Sequence, residues 1–167
     1  MHLEVISATL EQEPILANLL ELYAHDFSEF YDLTLRADGR FGYDQLPLYW
    51  REPSRYPFLI RVDGDLAGFV LVKRGSNISD DETVSDIAEF FVARRYRRRG
   101  IGTVVAHEVW GKFPGRWEVR VMQINDSAHD FWARAVKAFV GQAVESVGIE
   151  KNGKHWNVFS FASPRTT

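Results

Sequence analysis

No cysteine occurs among the 167 residues of the chain. This absence excludes disulfide bonds, thiolate metal sites and any reaction that passes through an acyl-cysteine intermediate. A chain without thiols is compatible with a reducing compartment, and we expect a cytoplasmic protein. Any group transfer that it performs is expected to be direct.

Long apolar runs and metal-binding spacings are also missing. No stretch approaches the roughly 20 apolar residues that a membrane-spanning helix needs, and residues 1–6 contain no basic leader. The histidines follow no zinc-binding pattern; they are His2, His25, His107, His129 and His155. We therefore expect a soluble protein with no metal and no membrane partner.

Charge of one sign is not in excess, because 20 basic residues face 23 acidic ones and the formal net charge is -3. We therefore expect no nucleic-acid partner for the protein as a whole. One local run, Arg94 to Arg99, is nevertheless strongly basic. On charge alone, such a run is typical of a solvated surface or a nucleic-acid patch, and both alternatives stay open.

What the chain does contain is ample material for a core, since 46% of its residues are hydrophobic and 14% are aromatic. Its length and composition predict one folded domain over residues 1–167. Strands are predicted over residues 3–6, 58–62, 66–73, 84–92, 117–121, 142–148 and 155–161. Helices are predicted over residues 14–27, 100–113 and 128–139, with an irregular wall segment over residues 30–55. The whole is an α/β chain with a mixed sheet.

Three local patterns support this assignment. The pair Asp63-Gly64 is a strong hairpin signal, because glycine accepts a positive φ without steric cost. The helix after Gly100 is expected to bury one stripe, formed by Ile101, Val104, Val105 and Val109. The last helix is expected to begin at an Asn125 cap and to bury Ala128, Phe131, Trp132, Ala135, Val136 and Phe139.

The segment from residue 91 to residue 103 is the most informative, because a strand there enters a basic loop whose glycines open a helix. Backbone N–H groups at a helix start lack partners and lie at the positive end of its dipole, so they suit a pyrophosphate. Val105 stands where a dinucleotide fingerprint needs glycine, and no Gly-Lys-Ser/Thr of a Walker loop is present. Both of these common nucleotide motifs are excluded.

This segment resembles the signature of the GNAT acetyltransferase superfamily, Arg/Gln-x-x-Gly-x-Gly/Ala, through Arg97, Gly100 and Gly102. A second stretch, from Asn125 to Trp132, resembles the family's second cofactor motif at the expected distance. The resemblance covers roughly residues 58 to 140. It implies the GNAT-like acyl-CoA N-acyltransferase fold, an α/β fold of the α+β type with a mixed, mostly antiparallel, twisted sheet, flanking helices and a central splayed parallel strand pair.

The resemblance also implies acetyl-CoA as co-substrate. The backbone of Phe91 and Val92 would pair with pantetheine, residues 97–103 would cradle the pyrophosphate, and the Val92 N–H would steady the oxyanion. Asn125 and Phe131 would flank the pantetheine arm, between the strands ending at Val92 and near Ile124. The residues so assigned to the cofactor are Phe91, Val92, Arg97, Arg98, Arg99, Gly100, Ile101, Gly102, Thr103, Asn125, Phe131 and Trp132.

The catalytic groups carry less sequence signal. Glu89 is the candidate base, since it is the one carboxylate on an apolar strand end, although an edge or salt-bridge role explains it equally well. Trp132 stands where the family often has Tyr, and an indole gives up no proton at ordinary pH. The acid is therefore sought in a water molecule or in the wall segment, with Tyr43 or Tyr49 as candidates.

The acceptor is expected to be a primary amine of a small molecule or a peptide. An aromatic and acidic cluster could form its pocket, although ordinary packing explains it as well: Tyr23, His25, Asp26, Tyr31, Tyr43, Asp44, Tyr49 and Trp50. The resemblance also implies a homodimer, which this family often forms. Two other functions stay open, a CoA-binding regulatory module without turnover and a nucleic-acid-binding module that uses the arginine run.

Overall fold

The computed structural model describes residues 1–166. Its strands, in chain order, are β1 (Leu3–Ser7), β2 (Arg55–Val62), β3 (Asp65–Arg74), β4 (Ser85–Val92), β5 (Gly115–Met122), β6 (Val147–Lys151) and β7 (Lys154–Ser163). Its α-helices are α1 (Glu13–Phe27), α2 (Leu48–Arg51), α3 (Ile101–Lys112) and α4 (Asp126–Val140). None of the helices over residues 1–166 is long and apolar enough to cross a membrane.

The strands form a seven-stranded sheet in the order β1-β2-β3-β4-β5-β7-β6. The pairs β1–β2, β5–β7 and β6–β7 are antiparallel. The pair β4–β5 is parallel, with Ser85 opposite Trp117 and Asp86 opposite Glu118. The predicted fold class, a mixed and mostly antiparallel sheet with flanking helices and one parallel pair, is confirmed.

Contacts between Cα atoms group the chain into two compact units. Unit 1 contains Met1–Leu71 and Glu89–Arg97, and unit 2 contains Val72–Ala88 and the chain from Arg98 onward. The expectation that residues 1–167 form a single domain stays a prediction.

Unit 1 is built around the β2–β3 hairpin and helix α1. Asp63 and Gly64 both have positive φ values, 52° and 86°, as the two-residue turn between antiparallel strands requires. The buried core contains Ala8, Leu16, Leu19, Leu20, Leu46, Tyr49, Leu59, Phe69, Leu71 and Phe91. Trp50 packs against this cluster and donates its indole N–H to the Ala8 carbonyl at 3.0 Å. The wall segment, apart from the single turn of α2, is irregular as predicted.

Unit 2 buries the inner face of β5 under aromatic side chains. Trp117, Val119 and Val121 are buried, which confirms the predicted alternation along that strand. Trp110 of α3 is fully buried, and its ring lies edge-on to Phe161 of β7 at 4.8 Å between centroids. Helix α4 packs on β5 and β7. This unit therefore has its own apolar core.

Two details of the secondary-structure prediction were wrong. Val104 is 51% exposed, because the buried face of α3 follows Ile101, Val105 and Val109 and turns toward Ala106 and Trp110 instead. Residues 142–146 are irregular, so the strand predicted over residues 142–148 begins only at Val147, opposite Val158. Gly141 ends α4 with a φ of 90°, and the chain needs the next residues to return to the sheet edge.

Candidate functional site

The C-terminal end of β4 lies against a glycine of β3. A Cβ on Gly68 would lie 2.0 Å from the carbonyl oxygen of Phe91, so only glycine permits this approach. The Ala93 N–H donates to the Ala67 carbonyl at 2.8 Å. Because backbone groups of neighbouring strand residues point to opposite edges, the N–H and C=O of Val92 point away from β3.

Asp26, near the end of α1, holds two arginines of the basic loop. Its Oδ1 accepts a hydrogen bond from Arg94 at 2.8 Å, and its Oδ2 accepts one from Arg97 at 2.6 Å. Burial alone would raise the pKa of Asp26, but the hydrogen bonds from Arg97 and Arg94 outweigh it and hold that pKa below its ordinary value. Asp26 is therefore a carboxylate at neutral pH.

Arg97, the first residue of the predicted signature, makes its hydrogen bonds within unit 1. Its Nε donates to the Val92 carbonyl at 2.6 Å, and its guanidinium carbon lies 5.5 Å from the centre of the Phe91 ring. The carbonyl of Val92 is thus occupied, whereas its N–H still points away from β3. Arg97 holds the end of β4 and the start of the loop together.

The next part of the signature begins α3. Gly100 is the residue before the helix and has a φ of 75°, a conformation that side chains rarely adopt, and a Cβ built on it meets no atom within 4 Å. Among residues 1–166, no side chain caps this helix start. Ile101 is buried and anchors the first turn, while Gly102 and Thr103 are partly exposed. Open space and uncapped N–H groups fit the pyrophosphate that the signature implies.

The second predicted motif begins α4. The Asn125 side-chain oxygen accepts a hydrogen bond from the Ala128 N–H at 3.0 Å, which confirms its role as a cap. Trp132 is 7% exposed, with its ring 6.1 Å from that of Trp110, so it belongs to the core of unit 2. Phe131 is only partly buried, and the centroid of its ring lies 4.8 Å from that of the Trp132 ring. Phe131 and Asn125 therefore retain surface that a ligand can contact, and Trp132 retains little.

The two candidate catalytic residues contact each other. The Tyr43 hydroxyl donates a hydrogen bond to Oε1 of Glu89, at 3.3 Å. Burial, and secondarily the charge of Glu89, raise the pKa of Tyr43 well above its ordinary value. Tyr43 is therefore a neutral phenol at every physiological pH, placed as a donor to the carboxylate.

Tyr49 completes this group from the buried side. Its hydroxyl lies near Tyr43 and Arg55 but has no hydrogen bond of normal geometry within the described residues. Burial, followed by the charge of Glu89, raises the pKa of Tyr49 to about 12. Both tyrosines of the wall segment thus carry protonated hydroxyls that feel the charge of Glu89.

The wall segment is anchored to α1 by a residue that the sequence analysis missed. The carboxylate of Glu21 accepts hydrogen bonds from the backbone N–H groups of Phe41 and Gly42 and from Arg40. Beside it lies a cavity of about 290 Å³, lined by Glu13, Ala17, Leu20, Glu21, Arg36, Asp38, Arg40, Gly42, Tyr43, Asp44, Leu46 and Pro47. No local sequence signal marks Glu21, because its partners Arg40, Phe41 and Gly42 lie 19 to 21 residues further along the chain.

The predicted acceptor cluster is only partly brought together. Tyr43 and Asp44 line the cavity. Tyr23 packs against Phe69 and Phe91 instead, and Asp26 is paired with arginines. Over residues 1–166, no group of three or more His, Asp or Glu side chains is placed to hold a metal ion.

Known structures share this fold. An acetyltransferase from Thermus thermophilus is 16% identical, over 98% of each chain, with a TM-score of 0.69. The PaiA N-acetyltransferase of Thermoplasma acidophilum, in complex with coenzyme A, is 12% identical over 96% of this chain and 100% of that one, with a TM-score of 0.62. A spermidine N-acetyltransferase of Vibrio cholerae, in complex with CoA and spermine, is 14% identical over 96% and 95%, with a TM-score of 0.62. At these identities the likeness shows the fold.

The family assignment comes from the sequence itself. No curated protein matches the chain. The model of the acetyltransferase (GNAT) family, however, matches residues 16–136, which are more than half of the chain. The match includes Asp26, the wall segment, the loop from Arg97 to Gly102 and the Asn125 motif. With its fold and both motifs in agreement, this chain belongs to the acetyltransferase (GNAT) family.

Proposed function

We propose that this protein transfers an acetyl group from acetyl-CoA directly to a primary amine of a small molecule or peptide. The observation that carries the proposal is the start of α3, where Gly100 has a positive φ and leaves the first N–H groups of the helix uncapped. Such a helix start suits the pyrophosphate of CoA. Direct transfer follows from the lack of cysteine, since no thiol is available to carry the acetyl group.

Residues of the two motifs would hold acetyl-CoA, which supplies the acetyl group as an activated thioester. The N–H groups from Arg98 to Thr103 would receive the phosphates, and buried Ile101 keeps that turn fixed. Asn125 and Phe131 would flank the pantetheine, and the N–H of Val92 is the backbone group at this end of β4 that would face acetyl-CoA, since the Phe91 carbonyl lies against Gly68. Trp132, being buried, would act behind Phe131 rather than on the ligand.

The chemistry needs a neutral amine and a donor for the developing oxyanion. The N–H of Val92 suits the second task, because it points away from β3 while Arg97 occupies the carbonyl of the same residue. Glu89 suits the first task, directly or through a water molecule, as the acceptor of the ammonium proton. Tyr43 donates to Glu89, which leaves a water molecule as the better source of the proton for the departing thiolate.

A thermal melt with and without acetyl-CoA tests the cofactor site. A ligand that binds only the folded state raises its stability, by about 2.7 kcal/mol at 100 times Kd. We expect a rise in Tm for the native protein and none for Gly100→Glu. Gly141→Glu is the matched control. Gly141 also has a positive φ, a Cβ added to it meets no atom within 4 Å, and it lies at the end of α4. No rise for the native protein at millimolar acetyl-CoA overturns the proposal.

Turnover is then measured as release of the CoA thiol in the presence of a panel of amines. Spermidine and spermine belong in the panel, because a structurally similar enzyme is a spermidine N-acetyltransferase that was crystallised with spermine. Amino acids, aminoglycosides and peptides with a free amine complete it. Initial rates are expected to fit a ternary-complex scheme rather than a ping-pong one.

A second candidate function is that of a CoA-binding regulatory module. It is favoured by Trp132, which is buried in the core at the position where the family often has a tyrosine. Tight CoA binding combined with no thiol release for any amine of the panel would select this function over acetyl transfer.

A further inference from the structure

We infer that Asp26 is a positioning residue for acetyl-CoA. Of the five arginines in the run, Arg94 and Arg97 hold the loop through Asp26, and Arg98 and Arg99 meet phosphate. This inference rests on the proposed function and adds a residue that neither motif contains. Asp26 lies on α1, 68 and 71 residues before its partners Arg94 and Arg97.

The first observation is that Asp26 and Arg97 together bind the loop to the end of β4. Arg97 donates to Val92 with Nε and to Asp26 with Nη2, both at 2.6 Å, so two of its three guanidinium nitrogens are engaged. The Asp26 side chain is only 24% exposed. These two contacts hold the shape of the loop.

The second observation is the different state of the following arginines. Arg94 is paired with the other oxygen of Asp26, and Arg95 lies over the Tyr96 ring at 5.6 Å. Arg98 and Arg99 are exposed, and neither guanidinium has a partner among residues 1–166. Arg98 also has a φ of 61°, which is uncommon for a non-glycine residue.

The sign of the effect distinguishes this role from a competing one. If Asp26 only neutralised arginines that bind phosphate, Asp26→Asn would free positive charge and acetyl-CoA would bind more tightly. If Asp26 positions the loop, the same change lets Arg94 and Arg97 move, and binding weakens. The Asn side chain keeps the shape of Asp but loses its charge and one of the two acceptor oxygens that receive Arg94 and Arg97.

The experiment is a titration of acetyl-CoA by calorimetry on the native protein, Asp26→Asn and Asp81→Asn. Asp81 is the matched control, because it also pairs with an arginine, Arg116, that lies outside the loop. We expect Kd to rise about tenfold for Asp26→Asn, the scale of one charge-assisted hydrogen bond, and to stay unchanged for the control. An unchanged or lower Kd for Asp26→Asn overturns the inference.

A second variant covers the case in which Asp26→Asn does not fold. Arg97→Lys keeps the charge but replaces the planar fork, whose Nε reaches Val92 and whose Nη2 reaches Asp26, with a single nitrogen, so the same rise in Kd is expected. In the double variant the two effects should not add, because the residues act as one unit. Additive effects on Kd contradict the inference.

Hydrogen exchange of the ligand-free protein separates this inference from the proposed function. Peptides that cover residues 94–103 should exchange faster in Asp26→Asn than in the native protein or in Asp81→Asn. If the native protein does not bind acetyl-CoA, the proposed function is wrong. If the native protein binds and Asp26→Asn changes neither Kd nor exchange, only the inference fails.

Discussion

The hydroxyl of Tyr43 donates a hydrogen bond to the carboxylate of Glu89, 46 residues further along the chain, at 3.3 Å. The contact joins the irregular wall segment to the last residues of strand β4. Tyr49 stands behind it as a second buried phenol. A carboxylate that accepts a hydrogen bond from a neutral phenol is held in place and stays available as an acceptor of protons.

Removing the carboxylate tests its role as base. Glu89→Gln keeps the size and a hydrogen-bond acceptor but cannot take a proton, so we expect kcat to fall about 10²- to 10⁴-fold. Kd for acetyl-CoA should be unchanged, because Glu89 belongs to neither motif. Glu82→Gln, a carboxylate in the loop before β4, serves as control. A Glu89→Gln enzyme with native kcat would assign Glu89 to the edge role that the sequence also allowed.

Removing the Tyr43 hydroxyl distinguishes a proton donor from a positioning group. With Tyr43→Phe the carboxylate of Glu89 loses a donor, so the acidic limb of kcat/KM against pH should move to higher pH. The alkaline limb should keep its position. Loss of the alkaline limb would instead identify Tyr43 as the acid that protonates the leaving thiolate.

The two phenols also predict how stability responds to alkali. Burial raises the pKa of Tyr49 from 10.0 to about 12, and it raises the pKa of Tyr43 as well. Above pH 10 the unfolded chain releases these protons while the folded protein retains them, so the free energy of unfolding falls as pH rises toward 12. Urea melts from about pH 9 to about pH 11.5 should show a flatter decline for the Tyr43→Phe, Tyr49→Phe double variant. Equal slopes would contradict the burial of these hydroxyls.

Replacing Gly68 tests the close approach of β3 to the end of β4. In Gly68→Ala the new Cβ would lie 2.0 Å from the Phe91 carbonyl oxygen, and backbone cannot yield as a side-chain tip does. We expect a loss of about 1–3 kcal/mol in stability, together with weaker acetyl-CoA binding. Gly111→Ala is the control. A Cβ added to this helical glycine meets no atom within 4 Å, so the variant should gain about 0.5–1 kcal/mol in stability. Native stability for Gly68→Ala would mean that β3 and β4 are further apart.

Local patterns made most of the fold predictable. The Asp63-Gly64 turn, the alternation along β5 and the Asn125 cap each depend on residues a few positions apart, and each was predicted. The loop before α3 was predictable for the same reason, because its glycines precede a helix directly.

Relationships over long sequence separations were not predictable. Arg97 matched the signature, but its ion pair with Asp26, 71 residues earlier on α1, has no local sequence signal. Val104 fits the apolar period of α3 but faces outward, since Ala106 and Trp110 take the buried side. Tyr43 and Glu89 were each candidates by residue type, and only the packing of the wall segment brings them together.

The distribution of indoles gives the molecule a built-in optical probe. Of the five tryptophans, Trp50 alone belongs to unit 1, where its N–H bonds to the Ala8 carbonyl. The fluorescence difference between the native protein and Trp50→Phe therefore reports on unit 1, and the remaining emission reports on unit 2. Denaturation followed in both signals reveals whether the units unfold in one transition or in two. The fluorescence of one side chain thus decides whether the chain behaves as one domain.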